Sequence, residues 1–298
     1  MHWKTTRFII DLTRPQVMGI VNVTPDSFSD GGRLGSVGAA MRQCERLIHE
    51  GADILDIGGE STRPGAPSVP LDEELGRVMP LLKEAVTLGV PVSVDTFKPE
   101  VMRAALDLGA DIVNDICALR QRGAMDIVAG HPSCGVCLMH MHRDPRSMQE
   151  APMRGDAVGQ VREFLAKAAA QAVANGVSAG RIVLDPGIGF GKTVEQNFSL
   201  LARQQELLAE GYPLLAGWSR KSSLGAVTAR DGRMPGSEQR LAASVAAAVL
   251  SADRGAAVLR VHDVLETVQA LAVWSATRQQ ASRDDHLSIA QNDQGTMG

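Results

Sequence analysis

Asp95, Asn114 and Asp185 each close a short apolar run, and each carries chemistry that such a run does not need for folding. A carboxylate accepts from paired N–H donors, and an amide beside it can both donate and accept. Together they suit a flat heterocycle with a guanidine-like edge. Any one of them alone could equally cap the turn after its run. Three at matching places favour a ligand. Cationic groups complement them. Ser219-Arg220-Lys221-Ser222-Ser223 follows another apolar run and is expected to open a helix. Its backbone N–H groups and lysine would serve an anion or a carbonyl oxygen, or would only cap the turn. Arg260-Val261-His262 puts two side chains on one face of a strand, a clamp for an oxyanion or a phosphate. A histidine there by itself would read as a core residue, and the arginine beside it tips the reading toward binding.

Two stretches carry long shaped loops. One reads Gly19-Ile-Val-Asn-Val-Thr-Pro-Asp-Ser-Phe-Ser-Asp-Gly-Gly32, the other Asp56-Ile-Gly-Gly-Glu-Ser-Thr-Arg-Pro-Gly-Ala66. Pro25, Gly31, Gly32, Pro64 and Gly65 exceed what a minimal turn requires, so these loops read as lids that exclude water and complete a site. A third loop, Gly187-Ile-Gly-Phe-Gly-Lys-Thr193, imitates a phosphate loop but fails the test. Walker A needs glycine where Pro186 stands, and the dinucleotide fingerprint needs glycine where Lys192 stands. Its glycines read instead as a mobile loop carrying Phe190 over a site. Cys134 and Cys137 form a CxxC match without a second pair, and they read as buried thiols. His140 and His142 share the period-two spacing, but no partner carboxylate is evident for a zinc site, and they remain unassigned.

These groups need elements to hold them. Apolar runs recur at Val17–Asn22, Ile54–Ile57, Val90–Asp95, Ile112–Asp115, Val136–His140, Ile182–Asp185, Leu214–Gly217 and Val258–His262. None alternates as a half-exposed strand would, so each reads as a parallel strand covered on both faces. Helical spacing appears between them, at Val37–His49, Leu71–Leu88, Val101–Leu108, Gly155–Ala174 and Ser237–Ser251. Eight strands alternating with helices predict an α/β fold, a single-domain (β/α)8 TIM barrel at residues 17–280, over a doubly wound sheet. Function in a barrel sits on the loops beyond the strands' C-terminal ends, where nearly every run here ends in a polar residue. Residues 1–16 are expected to strap the bottom of the barrel, and 281–298 to form a disordered tail.

The composition agrees. A chain of 298 residues can bury roughly 75% of its unfolded surface. The net charge of −4 argues against nucleic-acid binding. No apolar run approaches membrane-spanning length, and no leader pattern opens the chain, so a cytoplasmic protein without a membrane partner is expected.

The segments Asn22–Gly32, Asp56–Ala66, Ser93–Asp95, Asn114-Asp115, Leu138–His140, Asp185–Lys192, Ser219–Ser222 and Arg260–Asp263 resemble, in order, the motifs of the dihydropteroate synthase family. The resemblance covers residues of about 15–278, and the two lid loops are its most specific part. It implies a transferase of folate biosynthesis joining p-aminobenzoate to 6-hydroxymethyl-7,8-dihydropterin diphosphate. By the resemblance, Asp95, Asn114, Met139, Asp185 and Lys221 would hold the pterin. Asn22, Arg63, Arg260 and His262 would bind the diphosphate, with Mg²⁺ near Asn22. Thr62, Pro64, Phe190 and Ser222 would frame the p-aminobenzoate, with Phe28 and Asp30 closing the lid. Asp95, Asp185, Lys221 and Arg63 would carry the catalytic roles. It also implies a homodimer and inhibition by sulfonamides, which mimic p-aminobenzoate. Trp218 and Cys117 depart from the family pattern. Two other readings compete: a pterin-binding methyltransferase domain of the corrinoid type, which would share Asp185 and Asn114, and a non-catalytic pterin-binding barrel.

Overall fold

Eight parallel strands close on themselves, each pairing only with its neighbours in the ring. The computed structural model describes residues 1–23, 32–61, 65–143, 148 and 150–294. In chain order the strands are β1 (His2–Lys4), β2 (Ile9–Asp11), β3 (Gln16–Asn22), β4 (Ile54–Gly58), β5 (Val92–Asp95), β6 (Ile112–Asp115), β7 (Gly135–Met139), β8 (Ile182–Asp185), β9 (Leu214–Ala216) and β10 (Ala256–Val261). The helices are α1 (Gly32–His49), α2 (Leu71–Ala85), α3 (Pro99–Asp107), α4 (Ala124–Gly130), α5 (Ala157–Ala174), α6 (Val194–Ala202), α7 (Gln205–Leu208), α8 (Ser222–Val227), α9 (Leu241–Asp253) and α10 (Val264–Gln294). The barrel runs from β3 to β10, with β10 parallel to β3 closing it. The predicted barrel is therefore the observed one.

The strand pleat explains both the core and the site. Side chains alternate between the barrel's inside and its helix-covered outside. Val17, Val21, Leu55, Ile57, Val94, Val113 and Val136 point outward into the main core shared with the helices. Inside, Met18, Ile54, Ile112, Cys137, Val183, Leu215 and Val258 fill a lower layer with Trp3 and Ile10. Two residues further along β4, β6, β8 and β10, the next inward positions are Asp56, Asn114, Asp185 and Arg260. The apolar floor thus ends one pleat below a polar layer.

β1 and β2 form an antiparallel hairpin at the N-terminal end, and Trp3 Nε1 donates to the Arg181 carbonyl oxygen at 2.8 Å. Some boundaries differ from the sequence reading. β5 begins at Val92 because Pro91 cannot donate to the ladder. α10 continues to Gln294, beyond residue 281 where a disordered tail was expected. A helix already nucleated gains one hydrogen bond per added residue and needs no apolar face to propagate. α4 was not anticipated, since seven residues give too short a window for helical periodicity.

Candidate functional site

The polar layer is organised by one arginine. Arg260 Nε donates to Asp56 Oδ2 at 2.5 Å and its Nη2 donates to Asp95 Oδ2 at 2.6 Å. Asn114 Nδ2 donates to the same Asp56 oxygen at 3.2 Å. The register makes this possible, since Asp95 lies opposite Asn114 and Ile20 opposite Asp56 on adjacent strands. The second oxygen of Asp56, Oδ1, is fully buried without a hydrogen-bond partner, as is Ser93 Oγ. Orphaned acceptors at this depth are costly and mark a place where a ligand's donors complete the structure.

Burial pushes the Asp95 carboxyl up, with Asp56, Glu74 and Asp115 adding to it and Arg260 opposing. Burial also raises Asp185, against the Gly187 N–H, Lys221, Lys192 and Arg260. Burial works against the Arg260 charge, but Asp56 and Asp95 outweigh it and hold the guanidinium ionised. Lys221, Lys192 and Arg260 each favour the ionised form of Asp185. Asp185 also fulfils the bland expectation for a strand-tip acid, since its Oδ1 accepts from Gly187 N at 2.7 Å.

Above this floor lies a softer wall. Met139, directly opposite Asp185 in the ladder, packs with Phe190, Met141, Met148, Ile116 and Cys117. The Lys221 ammonium stands over the Phe190 ring at 4.3 Å, close enough for a cation–π attraction. Lys221 is the residue before α8, and Ser222 opens that helix at an exposed position. His262, just past β10, shares a hydrogen bond with Ser219 Oγ at 2.9 Å through Nδ1. Arg260 and His262 thus stand two residues apart as expected, but Arg260 serves the acids of the floor while His262 serves the loop after β9. Asn22 ends β3 opposite Gly58 and is partly buried.

Thr62, Arg63, Pro64, Phe28 and Asp30 lie outside the described residues. The root of the second loop is described. Glu60 Oε1 accepts from Val69 N at 3.1 Å, and Lys98 bridges Glu60 and Glu74.

The Pterin binding enzyme family model matches residues 18–262. The chain belongs to that family. Its similarity to solved dihydropteroate synthases extends over nearly the whole length. The Xanthomonas albilineans enzyme with 4-aminobenzoic acid is 51% identical, with a TM-score of 0.85 over 93% of this chain and 99% of that one. The Burkholderia cenocepacia enzyme complexed with 7,8-dihydropteroate is 50% identical, with a TM-score of 0.84 over 95% of this chain and 98% of that one. The Yersinia pestis enzyme with a sulfonamide drug is 43% identical, with a TM-score of 0.87 over 94% of this chain and the whole of that one.

Sequence reasoning left two residues of this family member without a role. Asp56 was quoted within a loop motif and given none, although its period-two spacing from Ile54 marks it as inward-facing. Lys192 was noted only as a defect in a glycine fingerprint, yet it is 3% exposed and bonded on every side. The mobile-loop reading of its neighbours is corrected accordingly. Gly187 and Gly191 have positive φ, and a Cβ at Gly187 would lie 1.9 Å from the His140 carbonyl oxygen. These glycines serve close packing of the loop, not swing. His140 belongs to that packing too, as the Lys192 partner, with its ring edge-on to Phe164. The cysteines are all free and buried, and no cluster of three metal-ligating residues occurs among the described residues.

Proposed function

We propose that this chain joins p-aminobenzoate to 6-hydroxymethyl-7,8-dihydropterin diphosphate, releasing 7,8-dihydropteroate and pyrophosphate. The observation that carries this reading is the buried acid–amide floor, Asp56, Asp95, Asn114 and Asp185 around Arg260, in a chain 50% identical to an enzyme crystallised with 7,8-dihydropteroate. The pterin's paired N–H edge suits Asp185, and its remaining donors suit Asn114, Asp95 and the orphaned Asp56 oxygen. Met139 supplies a polarisable surface for the ring. Lys221 reaches the pterin from the side of Phe190.

The diphosphate would occupy the mouth, toward His262, Asn22 and the outer side of Arg260. Mg²⁺ fits there as a substrate-borne ion, since Asn22 offers a hard amide oxygen and Mg²⁺ takes few protein ligands when phosphates and water supply the rest. When bound, it neutralises charge on the departing diphosphate. The C–O bond breaks with its electron pair leaving on pyrophosphate. The resulting cation on the exocyclic carbon is stabilised by the acids of the floor. The arylamine nitrogen then forms the C–N bond and releases one proton to solvent. Phe190 and Ser222 frame the arylamine. The same frame accounts for competition by sulfonamides, which resemble p-aminobenzoate in shape and charge, and the Yersinia pestis relative carries such a drug.

We further place the chain in the cytoplasm as a homodimer. No described helix is long and apolar enough to cross a membrane, and Leu241, Leu250, Leu265 and Val273 leave an exposed apolar face on α9 and α10. A corrinoid-type methyltransferase is not favoured, because it has no use for a diphosphate site. The deciding experiment is release of pyrophosphate. It is expected only when pterin diphosphate, p-aminobenzoate and Mg²⁺ are all present. Product formed without p-aminobenzoate, or none with all three, overturns the reading.

A further inference from the structure

The loop from Pro186 to Thr193 connects the tip of β8 to α6 and carries Phe190. It lies tightly on the segment after β7, where a Cβ at Gly191 would meet His142 Cβ and its carbonyl oxygen at 2.7 Å. Lys192 turns back beneath this loop. Its Nζ lies 2.9 Å from His140 Nδ1, 2.8 Å from the Gly187 carbonyl oxygen and 3.1 Å from the Phe190 carbonyl oxygen. The two carbonyls can only accept. Burial, helped by Lys192, drives His140 down to about 2, so its ring is neutral at neutral pH, and beside an ammonium its Nδ1 is the accepting nitrogen. With the His140 carbonyl oxygen at 3.4 Å, four groups converge on one nitrogen, and an ammonium with three hydrogens serves the three nearest of them. A neutral amine keeps two hydrogens and could only accept from His140 Nδ1–H, so the loop would lose its charge-assisted bonds.

We propose that Lys192, as an ammonium, is a positioning residue that locks the Pro186–Thr193 loop onto His140 and thereby sets Phe190 against p-aminobenzoate. The inference rests on the functional reading above and deepens it. Lys192 touches no reacting atom. It ties together Gly187, whose N–H serves Asp185, and Phe190, whose ring lies beneath the Lys221 ammonium. The titratable and charged groups around it are Asp185, Lys221, His140 and His142, with Arg120 acting on His140. Asp185 favours its charge and Lys221 opposes it, while burial dominates and pulls Lys192 down to about 7. Raising the pH through that value removes the third hydrogen and loosens the loop. p-Aminobenzoate keeps one charge state between about pH 6 and about pH 9, so a change in its KM there reports the protein.

The test is steady-state kinetics on wild type and Lys192→Met, which keeps the length and removes the donors. Loss of the ammonium's charge-assisted bonds to the loop predicts a rise in KM for p-aminobenzoate of about tenfold or more, with KM for pterin diphosphate changed less than about threefold. In wild type, KM for p-aminobenzoate should climb as pH rises through neutrality, and in Lys192→Met it should be flat. An unchanged KM in a folded Lys192→Met, or equal losses for both substrates, overturns the proposal. If that variant does not fold, the wild-type profile decides, and a flat profile overturns it. A wild type that releases no pyrophosphate sinks the parent reading and this one with it, whereas an active wild type with unaltered variant KM sinks this one alone.

Discussion

Asp56 and Asp95 share one guanidinium inside a barrel, and that sharing decides what Arg260 contributes. Asp56 is fully buried, and without its counter-ion it would be strongly destabilising, because an uncompensated charge in a poorly polarisable interior keeps its full desolvation penalty. Arg260→Ala is therefore expected to lower stability by about 3–5 kcal/mol, the range for removing one partner of a buried ion pair. It should also weaken pterin binding, since the acids would take up protons and lose their fixed orientation. Thermal unfolding and calorimetric pterin titration check both effects. Wild-type unfolding with intact pterin affinity would restrict Arg260 to the diphosphate. Lys192 acts at this scale too, since an ammonium gives the Gly187 and Phe190 carbonyls charge-assisted bonds that a neutral amine does not.

Among the elements, the β1–β2 hairpin and the β8–α6 loop divide the labour between the two ends of the barrel. The hairpin carries Trp3, fully buried against the lower layer and bonded to the Arg181 carbonyl oxygen. Gly135 leaves room for it, since a Cβ there would lie 3.0 Å from the indole nitrogen. Trp3→Ala should cost about 3–5 kcal/mol, as truncation of a large buried aromatic does. The KM values should stay at wild-type levels, because the hairpin lies at the end of the strands opposite the acids. Denaturant unfolding beside kinetics at a temperature where the variant is folded separates the two. A KM shift would mean that the floor and the site are not independent layers. Helix capping follows the same local logic. Thr193 and Gln196 form a reciprocal capping box that starts α6 directly after Lys192, so the loop is fixed from both sides.

At the scale of the molecule, the exposed apolar side chains of α9 and α10 predict association. Sedimentation should give a mass about twice 31.6 kDa. Leu250→Glu combined with Val273→Glu should return a monomer with unchanged helical content. A monomeric wild type would remove the dimer from the functional reading. Much of the architecture was legible beforehand. Uninterrupted runs of Val, Ile and Leu ending in Asp, Asn or Met mark parallel barrel strands and their tips, because strand burial and strand-end position are properties of a few consecutive residues. Asp95, Asn114 and Asp185 could be read from that pattern alone, whereas Met139 came only from the family resemblance. Asp56 could not be paired with Arg260, 204 residues away, before the ring was closed. The inward course of Lys192 was equally hidden, since its acceptors come from two different strand tips. Local sequence sets which segments are strands and which face of each is wet. Which charges meet, which acceptors are left open and which way a lysine turns depend on distances between remote segments, because electrostatic and hydrogen-bond energies follow separation through space and not along the chain.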